Sequence, residues 1–470
     1  MKADPMVESE ADAIATMLRA RRLGLSAAGN DLIAVMRHDC PVCRSEGLAS
    51  RAQVSLRAGE REVVVSLLHS SGDVPGPGEI GLSETAWHRL GVSDGDLVEI
   101  AHAQPLASLS DVRRRIYGNR LGEEAFSAII ADIAERRYSD VHLSAFVTAC
   151  SAVPLDTGET ISLTRAMVNV GERLSWPGAV IVDKHSVGGL PGNRTTPIIV
   201  SIMAAEGLIM PKTSSRAITS PAGTADTMEV LAPVDLDVSA IRRVVEREGG
   251  CIAWGGAVKL SPADDVIIGV ERVLDIDAVG QMVASVLSKK IAAGATHLVI
   301  DIPVGPTAKV RSAEAAATLE TALTATAEAF GLRTRVMCGP GLEPIGRGIG
   351  PALEAQDILA ILQGEPGADD LAQRACELAG GLFELADVTP VGQGFARALE
   401  SLESGRAWAK FQRICDAQGG MRAPPIARFQ QDMIAPQSGR LVSIDNRKLA
   451  TVAKLAGAPI AKAAGVALHC

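Results

Sequence analysis

Aromatic residues are scarce: seven Phe, two Tyr and four Trp give 3% of 470 residues. The interior must therefore be filled by Ala, Val, Ile and Leu, and little is left from which to build a base-stacking platform. Basic charge is also short. With 46 Lys and Arg against 55 Asp and Glu the net charge is −9, the reverse of the basic stripe by which proteins follow nucleic acids or anionic membranes. No run approaches the eighteen or so apolar residues of a membrane helix; the longest candidate, Pro197 to Met210, is broken by Glu206. The first ten residues are polar and acidic, unlike a secretion signal. Eight cysteines are too few for a disulfide framework in so long a chain, which points to reduced thiols and a cytoplasmic setting. What remains is an acidic globular chain, 47% hydrophobic and 21% charged, with length for about three domains.

Residues 1–30 read as an Ala- and Arg-rich leader, with a short helix the simplest form. From Leu32 to Ile100 the texture is of short alternating stretches. Gln53–Arg57 and Glu62–Leu68 read as strands and Asp73–Gly78 as a turn, in a small β-rich domain that ends near residue 107. Ser110 opens a helical stretch in which Ile129, Ile130, Ile133 and Ala134 share one face, as do Leu163, Met167 and Val170. From Gly178 the rhythm becomes apolar strand, Gly-rich loop and helix. It appears at Ala179–Val182, at His297–Ile302 with an Ala-rich helix from Ser312, and at Thr334–Met337 with a loop over Gly339–Gly350. This alternation predicts an α/β fold with a mostly parallel sheet. The tail from Met433 returns to short strand-like pieces. The expected division is 1–107 (leader and β-rich domain), 108–177 (helical, with 262–292 returning to it), 178–261 with 293–432 (α/β), and 433–470 (a C-terminal tail, expected to be incomplete).

Two loops carry the chemistry. Residues 183–197 read Asp-Lys-His-Ser-Val-Gly-Gly-Leu-Pro-Gly-Asn-Arg-Thr-Thr-Pro. Glycines at 188, 189 and 192 let backbone N–H groups approach a ligand, Lys184 and Ser186 add a charge and a hydroxyl, and the following helix, with Thr196 as cap and Pro197 in its first turn, offers positive potential. Phosphate is the natural guest. Residues 212–229 hold three Ser, four Thr and one Arg before a helical run from Asp226 to Leu231, a donor set suited to an oxyanion or a sugar, with Thr224 as helix cap. An ordinary Gly-rich turn and a solvated Ser/Thr loop are the plain alternatives. Neither loop has the Walker spacing, which argues against nucleotide-triphosphate hydrolysis. Cys40 and Cys43 have the spacing of half a zinc site or a redox pair, but His38 is the only other ligand type close by, and a reduced structural turn is the expected reading.

Segment 214–229 resembles the signature of the thymidine/pyrimidine-nucleoside phosphorylase family, Lys184-His185-Ser186 with Gly188-Gly189 resembles its phosphate loop, and Val283–Ala293 resembles its substrate helix. The resemblance runs from about Ser110 to the C-terminus, with Pro221 and Met228 departing from the short signature. Pro-Gly-Asn at 191–193, Ser-Arg-Ala-Ile-Thr-Ser at 215–220 and Asp-Cys-Pro-Val-Cys at 39–43 resemble the long branch that holds AMP phosphorylases and bacterial chains classed with the thymidine phosphorylases. In the short enzymes a pyrimidine-reading arginine lies fifteen residues before the serine that matches Ser285; here that place is Val270, with Arg272 nearby.

The resemblance implies a helical lobe and a larger α/β lobe (the type II nucleoside phosphorylase fold) with substrate between them, behind an additional β-rich domain. It implies that Lys184, Ser186, Ser214 and Thr224, and Thr196 more loosely, bind phosphate. Gly189, Ser215, Arg216, Ala217, Ile218, Thr219, Ser220, Thr224, Ser285, Lys289 and Lys309 would contact the nucleotide, Asp277 would give the leaving base its proton, and His185 would touch base or sugar or orient the loop. Such a carboxyl donor needs a raised pKa; a plain helix cap is the other role open to Asp277. The expected reaction is phosphorolysis of a nucleoside 5′-monophosphate, AMP- or CMP-like, to free base and ribose 1,5-bisphosphate. Inorganic phosphate is a co-substrate, no cofactor or metal is required, and a homodimer or larger homo-oligomer is expected. Thymidine or another pyrimidine nucleoside is the runner-up substrate. A phosphoribosyltransferase is the next reading, for which Asp264-Asp265 would have to hold Mg²⁺, and a non-catalytic nucleotide sensor is the last.

Overall fold

The computed structural model describes residues 17–26, 32–45, 47–217, 220–276 and 278–469. Contacts group the chain into two units: residues 1–153 with 265–276, and residues 154–264 with 277–470. The first unit begins with six strands, β1 (Met17–Arg22), β2 (Ile33–Arg37), β3 (Gln53–Ala58), β4 (Arg61–Ser70), β5 (Glu79–Leu82) and β6 (Leu97–His102). They close into a barrel in the order β1-β5-β2-β4-β3-β6, with β1–β5 and β2–β4 parallel. Its interior is built by alternation: Leu18 and Ala20, Ala34 and Met36, Val54 and Leu56, Val65 and Leu67, and Val98 and Ile100 are all at most 2% exposed, every second residue facing in.

The sequence reading of a helical leader is overturned here. Residues 17–22 are a strand, because Leu18 and Ala20 point inward while Arg19 and Arg21 point out. Ala and Arg favour helix, but the period of two decides.

Helices α1 (Pro41–Ser45) and α2 (Glu84–Leu90) lie within the barrel segment, and α3 (Leu109–Ile116), α4 (Glu123–Ala134) and α5 (Asp140–Ala152) follow it. Arg115 at the end of α3 is fully buried and donates to the carbonyls of Val153 and Asn119.

The second unit starts at α6 (Thr157–Asn169), which a reciprocal cap initiates: Asp156 accepts from the Glu159 N–H at 2.8 Å, and Glu159 accepts from the Asp156 N–H at 3.2 Å. Its strands are β7 (Val182–Ser186), β8 (Met210–Ser214), β9 (Gly250–Trp254), β10 (His297–Val304) and β11 (Arg333–Pro340). They form two parallel ribbons, β11-β10-β7 and β8-β9. A parallel bridge between Ile181 and Ile209 joins them, with the Val182 N–H donating to the Ile209 carbonyl at 2.9 Å. The strand expected over 179–182 thus lies later, at 182–186. Its polar half stays in the sheet because each charge there finds a buried partner, which apolarity alone could not reveal.

Around the sheet run α7 (Thr195–Ala205), α8 (Thr224–Leu231), α9 (Val238–Glu248), α11 (Val279–Ala292), α12 (Ala313–Glu328), α13 (Pro351–Gln363), α14 (Asp369–Leu385), α15 (Gly394–Glu403) and α16 (Arg406–Ala417), with α10 (Pro262–Leu274) preceding α11 in the chain. Most of α10, from residue 265, groups with the first unit. Helix α7 is buried at ten of its eleven positions and packs against α14 and α16, as expected of a helix that is apolar all round. The tail after 433 contains a helix, α17 (Asn446–Leu455), where the sequence reading has strand-like pieces. The one strand there, β13 (Val466–Ala467), pairs antiparallel with β12 (Gly348–Ile349).

The core of this unit joins Val182, Val299, Ile198, Met203, Phe383 and Phe411 in one cluster. Phe411 is fully buried, so Phe411→Ala should cost about 3–5 kcal/mol through lost transfer energy and the remaining cavity. The check is a lower urea midpoint for the unfolding of this unit.

Candidate active site

The string Asp183-Lys184-His185-Ser186 occupies β7, so successive side chains point to opposite faces. On one face, Asp183 is 2% exposed and lies 3.2 Å from Lys212 Nζ and 2.9 Å from Lys290 Nζ; it also accepts its neighbour's N–H at 2.7 Å. Burial opposes ionisation of this carboxyl, and the two ammonium groups overcome it, holding it below its ordinary pKa. Burial presses Lys212 down to about 7, with Lys290 adding to the effect and Asp183 opposing it. His185 shares that face. Burial, then the charges of Lys290, Lys212, Lys289 and Lys184, keep its imidazole well below the usual range, so it is neutral at neutral pH.

On the other face, Lys184 is 1% exposed and donates from Nζ to Thr195 Oγ1 at 2.7 Å. Burial lowers its ammonium to about 8, Asp301 opposing and Arg374 and Arg194 reinforcing. Ser186 donates to Asp301 Oδ2 at 2.9 Å, and Asn193 donates to the same oxygen at 3.1 Å and to Ser186 Oγ at 3.4 Å. Arg374 grips the second oxygen of Asp301. Residues 193 to 195 therefore reach three ways: Asn193 to β10, Arg194 to the second loop, Thr195 to Lys184.

Between β7 and α7 the backbone must turn tightly. Gly189 has φ +96°, and a Cβ there would stand 2.3 Å from the Lys309 nitrogen; Gly192 has φ +76°, and its Cβ would stand 2.1 Å from the Ile345 carbonyl oxygen. The N-cap of α7 is Arg194, with no side-chain cap, so the first N–H groups of the helix lack that partner. This corrects the sequence reading for Thr196, which is the second helical residue and not the cap; Pro197, the third, lies in the first turn as expected.

The second loop leaves β8 at Ser214, with Ser215 exposed. Thr224 is the first residue of α8 and not its cap. Asp226 does that work, its Oδ2 accepting from the Gly223 N–H at 3.0 Å and the Ala217 N–H at 2.6 Å; a hydroxyl-rich loop disguised a carboxylate three residues on. Arg216 is forked onto Glu229 at 2.8 and 2.7 Å and stacks over Trp254 at 4.8 Å, so its guanidinium is held within the loop. Ser220 donates to the Ala222 carbonyl at 2.7 Å. Ile218, Thr219 and Asp277 lie outside the described residues.

On α11, Ser285 and Lys289 are one helical turn apart and share a face. Lys289 Nζ lies 2.5 Å from Asp264 Oδ2. Lys290, one residue on, turns inward to Asp183. Lys309 is exposed in the loop after β10.

Sequence reasoning missed Asp183, Lys212, Arg194, Asp301, Glu354 and Arg374. Asp183 and Asp301 had a signal: a carboxylate inside an apolar strand run must have a cationic partner. Arg194 and Arg374 had none.

In the barrel, Cys43 Sγ lies 3.6 Å from His69 Nε2, a histidine distant in sequence, and burial pushes its thiol up to about 11. Among the described residues no three His, Cys, Asp or Glu side chains are grouped to hold a metal, and no helix is long and apolar enough to cross a membrane.

Comparison with known proteins places these features. Residues 112–171 match the helical bundle domain, and residues 178–408 the a/b domain, of a glycosyl transferase family. A relative from Sphingopyxis alaskensis named "Putative thymidine phosphorylase" is 66% identical over 96% of this chain and 88% of its own length. One of the same name from Chelativorans sp. is 60% identical over the same shares. Anthranilate phosphoribosyltransferase from Thermus thermophilus superimposes with a TM-score of 0.54 at 22% identity, over 65% of this chain and 98% of that one. The Saccharomyces cerevisiae enzyme gives 0.54 at 14%, over 67% and 98%. At those identities the likeness is one of fold.

The Lys184 value sets a pH dependence. An ammonium with its pKa depressed to about 8 is charged below that pH and loses its proton above it. Anion affinity should therefore hold up to pH about 8 and then fall by about tenfold per unit. Calorimetric titration with inorganic phosphate across pH 6–10 checks this, and Lys184→Ala should flatten the profile.

Proposed function

Because this chain belongs to the thymidine/pyrimidine-nucleoside phosphorylase family of pentosyltransferases, we propose that it cleaves nucleoside 5′-monophosphates with inorganic phosphate, releasing free base and ribose 1,5-bisphosphate. The observation that carries this reading is the pairing of two donor-rich loops: the head of α7 with Lys184 and Thr195, and the segment from Ser214 to Thr224, tied together by Arg194.

In the proposed reaction a phosphate oxygen, held by Lys184, Ser186 and the first turn of α7, forms a bond to C1′ of the sugar. The C1′–N bond breaks, its electron pair goes to the base, and Asp277 supplies the proton the base takes. Being neutral, His185 serves as a hydrogen-bonding group to base or sugar and not as the acid. The reaction uses no cofactor and no metal. Ser214 and Thr224 complete the inorganic-phosphate site, Ser215 to Ser220 and Lys309 supply donors for a 5′-phosphate, and Ser285 with Lys289 faces the base.

Val270 supports the nucleotide over the nucleoside. A site lacking a bidentate arginine loses one strong discriminating contact for a pyrimidine, while two or three charge-assisted bonds to a 5′-phosphate favour the nucleotide. The printed names of the relatives favour the second reading, thymidine as substrate.

A panel of nucleosides and nucleoside monophosphates, assayed for free base with and without phosphate, separates the two. We expect kcat/KM for AMP or CMP to exceed that for thymidine by tenfold or more, about 1.4 kcal/mol, with Val270→Arg raising thymidine turnover. Turnover should cease without phosphate and survive a chelator. Thymidine as the better substrate of the unaltered protein would overturn the nucleotide reading.

Lys184→Ala should raise the phosphate KM about thirty- to a thousand-fold, or ~2–4 kcal/mol for an ion pair shut off from water. A change within twofold would remove Lys184 from the phosphate site.

A further inference from the structure

Arg194 stands where the two loops meet, and its side chain is only 12% exposed. Its Nε lies 2.5 Å from Glu354 Oε2, a carboxylate with no exposed surface on α13. The same oxygen accepts from Thr227 Oγ1 on α8 at 2.8 Å. The far end of the guanidinium reaches the second loop: NH2 donates to the Ala222 carbonyl at 2.6 Å, and NH1 to Thr224 Oγ1 at 3.4 Å. Arg194 thus spans three pieces of the fold, the start of α7, the buried end of Glu354 and the entry to α8. A planar fork can hold all three at once, which a lysine's single ammonium cannot.

We propose that Arg194 is a positioning residue that sets the second anion loop against the first, and that it acts on phosphate through Thr224. Glu354 offsets its charge, so its contribution is one of geometry more than of Coulombic pull on the ligand. Asn193 and Thr195 on either side are fixed to Asp301 and Lys184, so a shift of Arg194 would be felt at both loops. The inference rests on the phosphorylase reading only in taking phosphate as the ligand.

The test is a double-mutant cycle of Arg194→Ala and Thr224→Val, read as the dissociation constant for inorganic phosphate by calorimetry and as separate KM values for phosphate and nucleotide. Arg194→Ala should weaken phosphate at least tenfold and leave the nucleotide KM within threefold. Thr224→Val should add little in the Arg194→Ala background, because coupled sites are not additive, and Arg194→Lys should recover part of the loss. Additive effects, phosphate binding within twofold of the unaltered protein, or equal loss for both substrates would overturn the proposal. Should Arg194→Ala fail to give folded protein, Glu354→Gln takes its place in the cycle with the same expectations. If the unaltered protein binds phosphate, the cycle couples, and no base is released from any nucleoside or nucleotide, the phosphorylase reading fails and the role of Arg194 stands. If base is released and the cycle does not couple, only the role of Arg194 falls.

Discussion

The second unit depends on one buried charge. Asp183 is almost without exposure, and taking a carboxylate out of water costs several kcal/mol. That cost is tolerated because Lys212 from the middle of β8 and Lys290 from α11 converge on it. A strand, its neighbour and a helix are pinned to one another by this triad. Removing either lysine would leave charge buried without its partner, and removing Asp183 would leave two ammonium groups facing each other in a dry interior. The triad carries one positive charge in excess when all its members are ionised, and that excess adds to burial in keeping His185 neutral.

The strand period distributes the remaining chemistry. Because β7 alternates, its four polar residues serve two purposes: Asp183 and His185 turn to the lysine cluster, and Lys184 and Ser186 turn to Thr195, Asn193 and Asp301. β10 lies beside it in parallel register, with Asp301 opposite Ser186, so one carboxylate orients a serine, an asparagine and an arginine together. Preorganisation of this kind has its cost in folding, not at the moment of binding.

Much of this is legible in the sequence where a local rule applies. Apolar strand, glycine loop and apolar helix set the α/β rhythm, and the Ala-rich helix expected from Ser312 begins there, Ser312 capping it by accepting from the Ala315 N–H at 3.1 Å. The glycines at 188, 189 and 192 marked the tight turn. What stayed hidden is long-range. The lysines 212 and 290 stand 29 and 107 residues from Asp183, and the partner of Arg194 stands 160 residues away; no local pattern links them. Local chemistry also misled. Threonines at 196 and 224 look like helix caps, yet the first cap is taken by backbone geometry at Arg194 and the second by the carboxylate of Asp226. In β1 the Ala/Arg composition spoke for a helix, while closure of the barrel demanded an alternating strand.

An acidic protein that binds an anion is a contradiction only if net charge is read over the whole surface. At physiological ionic strength the field of exposed charge fades within about 8 Å, so the surplus of surface carboxylates acts weakly on a site lined by buried groups. What counts there is the local balance. Around β7 stand Lys184, Lys212, Lys289, Lys290, Arg194 and Arg374, against four carboxylates shut off from water, Asp183, Asp264, Asp301 and Glu354. Fully ionised, these ten groups carry two positive charges in excess, before Glu377, which Arg374 also holds at 3.1 Å, is counted. The depressed values of Lys184 and Lys212 follow first from burial, with neighbouring cations adding to it and Asp301 and Asp183 opposing it. Charge is costly to hold out of water, so these ammonium groups give up protons more readily. A dianion bound among these groups would lower that cost and draw the protons back.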